Sequence, residues 1–177
     1  MKRRQLLQAG LAIGGAQALA MQSLWAAAAS LPAKTQVIVI GGGYGGATAA
    51  KYVRMFSNYK INVVLIEPNT SFISCPMSNL VIGGSKNLTE LTTSYDALSS
   101  KHGVTVVKDK VSAIDPQKKT VALQNGGTIG YDKLVLSPGV DMMFDSIEGL
   151  QAANASGQIL QAWKAGSETL ALRKQLE

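Results

Sequence analysis

Two groups of residues in this chain have types and spacing that could carry chemistry. Gly41, Gly43 and Gly46 stand at the G-x-G-x-x-G spacing, with Glu67 twenty-one residues beyond the last of them. Cys75, the one cysteine in the sequence, follows eight residues after Glu67. The glycines suit a diphosphate, and each has its own task. Gly41 lets the chain turn sharply, Gly43 removes the Cβ that would hold the anion off the backbone, and Gly46 lets the following helix pack close to its strand. The N–H groups and positive dipole end of that helix then face the phosphates. Glu67 falls where an acidic side chain accepts hydrogen bonds from a ribose 2′-OH. Together these residues predict dinucleotide binding; the alternative is a glycine-rich turn in an ordinary α/β core. Spacing alone leaves Cys75 two readings, an inert buried thiol or a nucleophile placed near the ligand.

These residues need particular elements to position them. Val37 to Ile40 is a short apolar, β-branched run ending at glycine, which predicts a strand buried on both faces. Small helix formers follow, so a helix is expected from Tyr44 to about Phe56. Ile61 to Ile66 is the next buried strand and delivers Glu67, after which Pro68 breaks the chain. Asn69 to Gly84 is turn-rich and irregular, with a short helix expected over Met77 to Ile82 behind Pro76. Long irregular connections of this kind are usually functional. Leu88 to Ser100 reads as a helix and Val104 to Val107 as a strand. Lys110 to Asp115 and Lys119 to Leu123 read as two strands joined at 116–118, and Asn125-Gly126-Gly127 marks another turn. Tyr131 to Leu136 is a further buried strand, ending in Ser137-Pro138-Gly139. The order predicts an α/β fold: a Rossmann-type sheet carrying a small antiparallel β insertion.

The first residues have another purpose. Lys2-Arg3-Arg4 precedes an apolar stretch from Leu6 to Trp25 and then a run of alanines at 26–29, the pattern of an export signal over residues 1–29. The paired Arg3 and Arg4 before Gln5-Leu6-Leu7 resemble a twin-arginine signal; an ordinary secretory signal and an uncleaved anchor are the other readings. Gln8, Gln17 and Gln22 argue against a stable membrane span. Three of the six net positive charges lie in Lys2, Arg3 and Arg4, which leaves +3 for the remainder, with its lysines scattered. That distribution argues against a nucleic-acid partner. A single cysteine permits no intrachain disulfide, and with one histidine, His102, and no C-x-x-C-H, neither a metal site nor haem attachment is expected. His102 reads as a helix C-terminal residue interacting with the dipole.

The glycine turn, the Ile66-Glu67-Pro68-Asn69 segment and the Tyr131-Asp132-Lys133-Leu134-Val135 run into Ser137-Pro138-Gly139 resemble the FAD half of the two-dinucleotide-domain flavoproteins. More narrowly, GGATAAKYVR, SCPMSNLVIGG and AWKAGSETLALRKQLE resemble the flavoprotein subunit of flavocytochrome c sulfide dehydrogenase, over about residues 35–177. The resemblance implies FAD as cofactor, held by Gly41, Gly43, Gly46 and Glu67, with Gly139 passing close to it and the Val111 backbone against the adenine. It implies an 8α-S-cysteinyl thioether between Cys75 and the flavin. The reach suffices, since eight extended residues span at most roughly 29 Å. It implies sulfide as substrate and a c-type cytochrome subunit as electron acceptor, in the periplasm. Residues 30–160 then form the FAD-binding domain, and 161–177 a helix leading to a second domain beyond this sequence. The family's redox disulfide also belongs beyond residue 177, so no catalytic residue is assigned in this chain and sulfide oxidation by it alone is not expected. The alternatives are a sulfide:quinone or NADH:quinone oxidoreductase-like flavoprotein and a non-catalytic nucleotide-binding fragment.

Overall fold

Alternation along five residues decides the architecture. In Gln36–Ile40, Val37 and Val39 point to one face and Ile38 to the other, and all three are buried. A strand covered on both sides needs packing layers above and below it. The computed structural model describes residues 35–177; the predicted leader at 1–29 lies outside the described residues.

In chain order the elements begin β1 (Gln36–Ile40), α1 (Tyr44–Phe56), β2 (Asn62–Ile66), β3 (Ser71–Ile73), α2 (Ser78–Ile82), β4 (Thr92–Ser94) and α3 (Asp96–His102). They continue with β5 (Thr105–Val107), β6 (Val111–Asp115), β7 (Thr120–Leu123), β8 (Thr128–Gly130), β9 (Lys133–Leu136), α4 (Leu150–Ala155) and α5 (Ser167–Leu176). The principal sheet is parallel in the order β5-β2-β1-β9, with Ile38 opposite Val64 on one side and Leu134 on the other. One face, carrying Val37, Val39, Val63 and Leu65, packs against Ala50 of α1 and against Tyr95 and Leu98 beside and on α3. The other carries Ile38, Val64 and Ile66 and is covered by Val121, Leu123 and Ile129 of the antiparallel sheet β6-β7-β8. The insertion is therefore a core layer of the domain, as well as a flap on its sequence.

Local chemistry fixes the joints. Arg54, in the last turn of α1, donates from Nε to the His102 carbonyl at 2.9 Å and from Nη1 to the Tyr59 carbonyl at 3.0 Å, tying the ends of α1 and α3 together. Gly103, at φ +62°, then ends α3 in the left-handed conformation. The buried Asp109 carboxylate accepts from the Lys110 N–H and from the Asn125 backbone and amide nitrogens, which pins the entrance of the insertion to its far turn. The second turn is held by Asp115, whose Oδ1 accepts from the Gln117 and Lys118 N–H groups.

The predicted helix over Leu88 to Ser100 is a correction. The structure breaks it into a 3-10 turn at Leu88–Leu91, strand β4 and helix α3. The reason is pairing: β4 lies antiparallel to β3, with Phe72 opposite Thr93, and the β-branched Thr92 and Thr93 suit that ladder. A second difference is β8, a three-residue strand between the predicted turn at 125–127 and β9, which closes the antiparallel sheet onto β7.

Leu65 is wholly buried in the middle of β2. Leu65→Ala is expected to lower unfolding free energy by about 3 kcal/mol, whereas Leu65→Met costs less than about 1.5 kcal/mol; urea denaturation followed by circular dichroism measures both.

Candidate functional site

Three connections leave the same end of the parallel sheet, and backbone hydrogen bonds hold them level. Gly41 N–H donates to the Ile66 carbonyl at 2.9 Å, Ser137 N–H to the Ile40 carbonyl at 2.8 Å, and Glu67 N–H to the Val107 carbonyl at 3.0 Å. The glycine turn after β1 therefore sits between Glu67, after β2, and the Ser137-Pro138-Gly139 loop, after β9. The carboxyl ends of neighbouring parallel strands form the crevice where open α/β sheets take their ligands.

The glycines of the turn separate by what a side chain would strike. A Cβ on Gly41 would lie 2.0 Å from the Ser137 carbonyl oxygen, and its φ of +93° already demands glycine. A Cβ on Gly46 would lie 1.8 Å from the Gly41 carbonyl oxygen. Both positions thus serve backbone-to-backbone packing. Gly43 is different: a Cβ there would meet no protein atom within 4 Å, so the position opens onto free space at the start of α1. Helix α1 has no side-chain N-cap and no acidic residue in its first turn, which leaves its leading N–H groups to an anion. Gly139, at φ +77°, also has open space around it.

Glu67 is 7% exposed and anchors the turn. Its Oε2 accepts from the Gly42 N–H at 2.7 Å, and its Oε1 accepts from the Asn69 N–H and Asn69 Nδ2 at 2.9 and 2.7 Å. Oε2 thus holds one protein donor among the described residues and has capacity to accept another. On the other side of Gly42, the buried Tyr95 hydroxyl donates to its carbonyl at 3.0 Å. Burial, and then the charge of Glu67, raise the Tyr95 pKa to about 12, so the phenol remains a donor. Gly42 is grasped at both its polar groups, and a Cβ there would lie 2.6 Å from the Tyr95 hydroxyl. Neither Tyr95 nor the role of the middle glycine was legible in the motif, because Tyr95 lies fifty-three residues away and reaches the turn only once α3 has docked.

Cys75 is half-buried at the start of a 3-10 turn, Cys75–Met77, with Pro76 in its first positions. The residue before it, Ser74, is 6% exposed, and its hydroxyl is hydrogen-bonded to the hydroxyl of Tyr44, the residue that follows Gly43. The Tyr44 ring meets Phe72 edge-on at 4.7 Å between centroids. The cysteine segment is therefore joined to the glycine turn itself. Ser78, three residues beyond the cysteine, donates to the Ala162 carbonyl at 2.9 Å. Val111 stands at the start of β6 opposite Leu123, with its side chain against the Ile38 core, and the hydrogen bonds that hold the turn do not involve it. A cavity of about 360 Å³ lies beside Gly43 and Tyr44 and runs between α1 and α3 to Lys51 and His102; neither Glu67 nor Cys75 lines it.

A parallel sheet with a glycine turn, a buried carboxylate and a second glycine loop on one edge defines a Rossmann-type fold of the FAD-binding oxidoreductases. The free space at Gly43, the uncapped α1 and the remaining acceptor on Glu67 fit a dinucleotide. The chain belongs to the pyridine nucleotide-disulphide oxidoreductase family, whose model matches residues 35–172. Over 46 residues, 26% of this chain, it is 52% identical to the sulfide dehydrogenase [flavocytochrome c] flavoprotein chain of Chlorobaculum thiosulfatiphilum, and the match covers 94% of that sequence. It is 31% identical over 117 residues to the mitochondrial sulfide:quinone oxidoreductase of Dictyostelium discoideum, covering 66% of this chain and 26% of the relative. The solved sulfide:quinone oxidoreductase of Aquifex aeolicus superposes with a TM-score of 0.68 at 29% identity, over 80% of this chain and 31% of that one. The chain thus spans about a quarter to a third of the length of these quinone-linked relatives.

The glycines give a paired test. Gly43→Ala is expected to keep the wild-type melting temperature and to weaken FAD binding at least about tenfold, ~1.4 kcal/mol. Gly46→Ala, which must push backbone apart, is expected to lower the melting temperature; fluorescence titration and thermal melts separate the two. Tyr95→Phe gives a pH signature. Because folding raises the phenol's pKa, the stability it contributes is full below pH 10 and is lost as pH rises toward 12. The stability gap between wild type and Tyr95→Phe is expected to narrow over that interval in urea melts.

Proposed function

We propose that the protein is the FAD-binding flavoprotein of a sulfide dehydrogenase, with FAD bound covalently through Cys75 and electrons passing to a c-type cytochrome. In this reading the glycine turn and the start of α1 hold the pyrophosphate, Glu67 takes a hydroxyl of the adenosine ribose, the Val111 backbone meets the adenine, and Gly139 lets its loop approach the cofactor. Bound FAD supplies an electron store that fills by two and empties by one. The chain's own residues bind it, orient it and supply the thiol.

The observation that carries this reading is the position of the cysteine segment. Ser74 is bonded to Tyr44, so the segment that bears Cys75 runs beside the start of α1, the end of the sheet where the diphosphate would sit; this supports a thiol within reach of the ring. The 52% identity to a flavocytochrome c flavoprotein chain supports sulfide as the electron donor and a cytochrome as the acceptor. The arginine pair and apolar leader at 1–29 support export to the periplasm by the twin-arginine route, which carries proteins already folded around a cofactor.

A second reading keeps FAD and sulfide and replaces the cytochrome with a quinone. The quinone-linked relatives favour it. No helix among the described residues is long and apolar enough to cross a membrane. The two are separated by acceptor: sulfide-dependent reduction of a c-type cytochrome against reduction of a soluble ubiquinone analogue.

Acid precipitation tests the covalent link. Wild-type protein is expected to give a yellow pellet whose Cys75 peptide has gained the mass of FAD. Cys75→Ser is expected to bind as much flavin in total but to release it into the supernatant. A colourless purified protein would sink the flavoprotein reading, and a yellow supernatant from wild type would remove the covalent bond alone.

A further inference from the structure

We propose that Tyr44 is a positioning residue for Cys75: its hydroxyl, bonded to Ser74, holds the backbone ahead of the cysteine against the glycine turn and sets the thiol's approach to the flavin. The inference rests on the covalent reading above and assigns the residue that makes it geometrically possible.

Four observations carry it. Tyr44 follows Gly43 directly and is the first residue of α1, so its Cα is fixed by the same turn that would hold the pyrophosphate. Tyr44 is 56% exposed as a residue, so enclosure in the core does not explain its orientation; the contacts that do are Phe72 and the hydroxyl of Ser74. Ser74 is nearly enclosed, and its N–H is already committed to the Leu91 carbonyl at 2.9 Å, which makes its side chain a stiff attachment point. Beyond the cysteine, Pro76 restricts the turn and Ser78 is fastened to the Ala162 carbonyl. The Cys75–Met77 turn is thus held at both ends, and among the described residues the Tyr44–Ser74 pair is the side-chain hydrogen bond that joins it to the start of α1.

The covalent step needs that hold. One S–C bond forms between Cys75 Sγ and the methyl carbon at flavin position 8. The S–H bond and one methyl C–H bond break, two protons are released, and two electrons leave through the ring to an oxidant, either two ferric haems, which take one electron each, or one dioxygen, which becomes hydrogen peroxide with the two protons. Such a reaction between a side chain and a bound group depends steeply on how the two are held, and small misplacements cost orders of magnitude in rate.

The test compares Tyr44→Phe, Ser74→Ala and the double variant with wild type. FAD is added to flavin-free protein, and acid-stable flavin, total bound flavin and melting temperature are followed. Both single variants are expected to slow attachment at least about tenfold, with total FAD and melting temperature close to wild type, and the double variant is expected to be no slower than either single. A pair that merely fastens β3 to α1 would shift the melting temperature and leave the attachment rate alone. Attachment at the wild-type rate in Tyr44→Phe, or a double variant slowed by the product of the singles, overturns the proposal. Should Ser74→Ala fold poorly, Tyr44→Phe carries the test, since its ring keeps the Phe72 contact. Should wild type attach no flavin, the covalent reading falls, and iodoacetamide labelling of Cys75 then judges the latch. Several-fold faster labelling in both single variants supports it, and equal rates overturn it.

Discussion

Everything at the candidate site depends on how closely bare backbone approaches bare backbone at the end of β1. The Gly41 carbonyl occupies the volume where Gly46 would carry a Cβ, and the Ser137 carbonyl occupies the volume where Gly41 would carry one. These contacts seat α1 against its own strand and bring the loop after β9 against the turn. Without them the start of α1 would stand off from the sheet, and the loops bearing Glu67 and Gly139 would no longer frame it. Gly43 is the exception that shows the design, since its missing side chain leaves open space where the others make room for protein.

The turn is also held electrostatically, and the magnitudes rank its two anchors. A hydrogen bond to a charged carboxylate contributes about 1.5–3 kcal/mol, while a neutral phenol–carbonyl bond contributes about 1 kcal/mol. Glu67, bonded to the Gly42 N–H and to Asn69, is therefore the stronger anchor, and Tyr95 the weaker. Glu67 does two jobs with one side chain: it fixes the turn from inside and keeps an acceptor position for a ligand. The burial that makes these bonds strong comes from the sheet's two cores, one closed by α1 and α3 and the other by the antiparallel insertion. An insertion that served only as a flap would leave Ile38 and Ile66 wet.

What could be read in the sequence was whatever its own segment dictates. The run Val37 to Ile40, the glycine spacing, the strand ending at Glu67 and the extent of α1 all follow from local pattern, and the structure agrees with them. The stretch from Leu88 to Ser100 failed because its central residues take their conformation from a partner: Thr92 and Thr93 become strand only when Ser71–Ile73 lies beside them. Tyr95 was invisible for the same reason, since nothing near position 95 reveals that its hydroxyl will find Gly42. Cys75 stood between these cases. Its distance along the chain from Glu67 limited its reach, but where its segment lies is decided by β3–β4 pairing and by Tyr44, both long-range facts.

The lone thiol and the glycine motif are coupled through these long-range contacts. An isolated cysteine is a weak nucleophile at neutral pH because most of it is protonated, and its charge state alone makes no site. Proximity can replace much of what charge does not supply, provided the approach is defined to within a fraction of an ångström. Residues 43 and 75 are thirty-two positions apart, and a flexible connection of that length would leave the thiol at a dilute local concentration. The β3–β4 ladder, Phe72 against Tyr44 and the Tyr44–Ser74 hydroxyl pair shorten that connection to a few fixed contacts. The glycine turn and the cysteine segment then share one frame, so that in the proposed reading a dinucleotide held at one end by the turn would be constrained in where its other end meets the thiol.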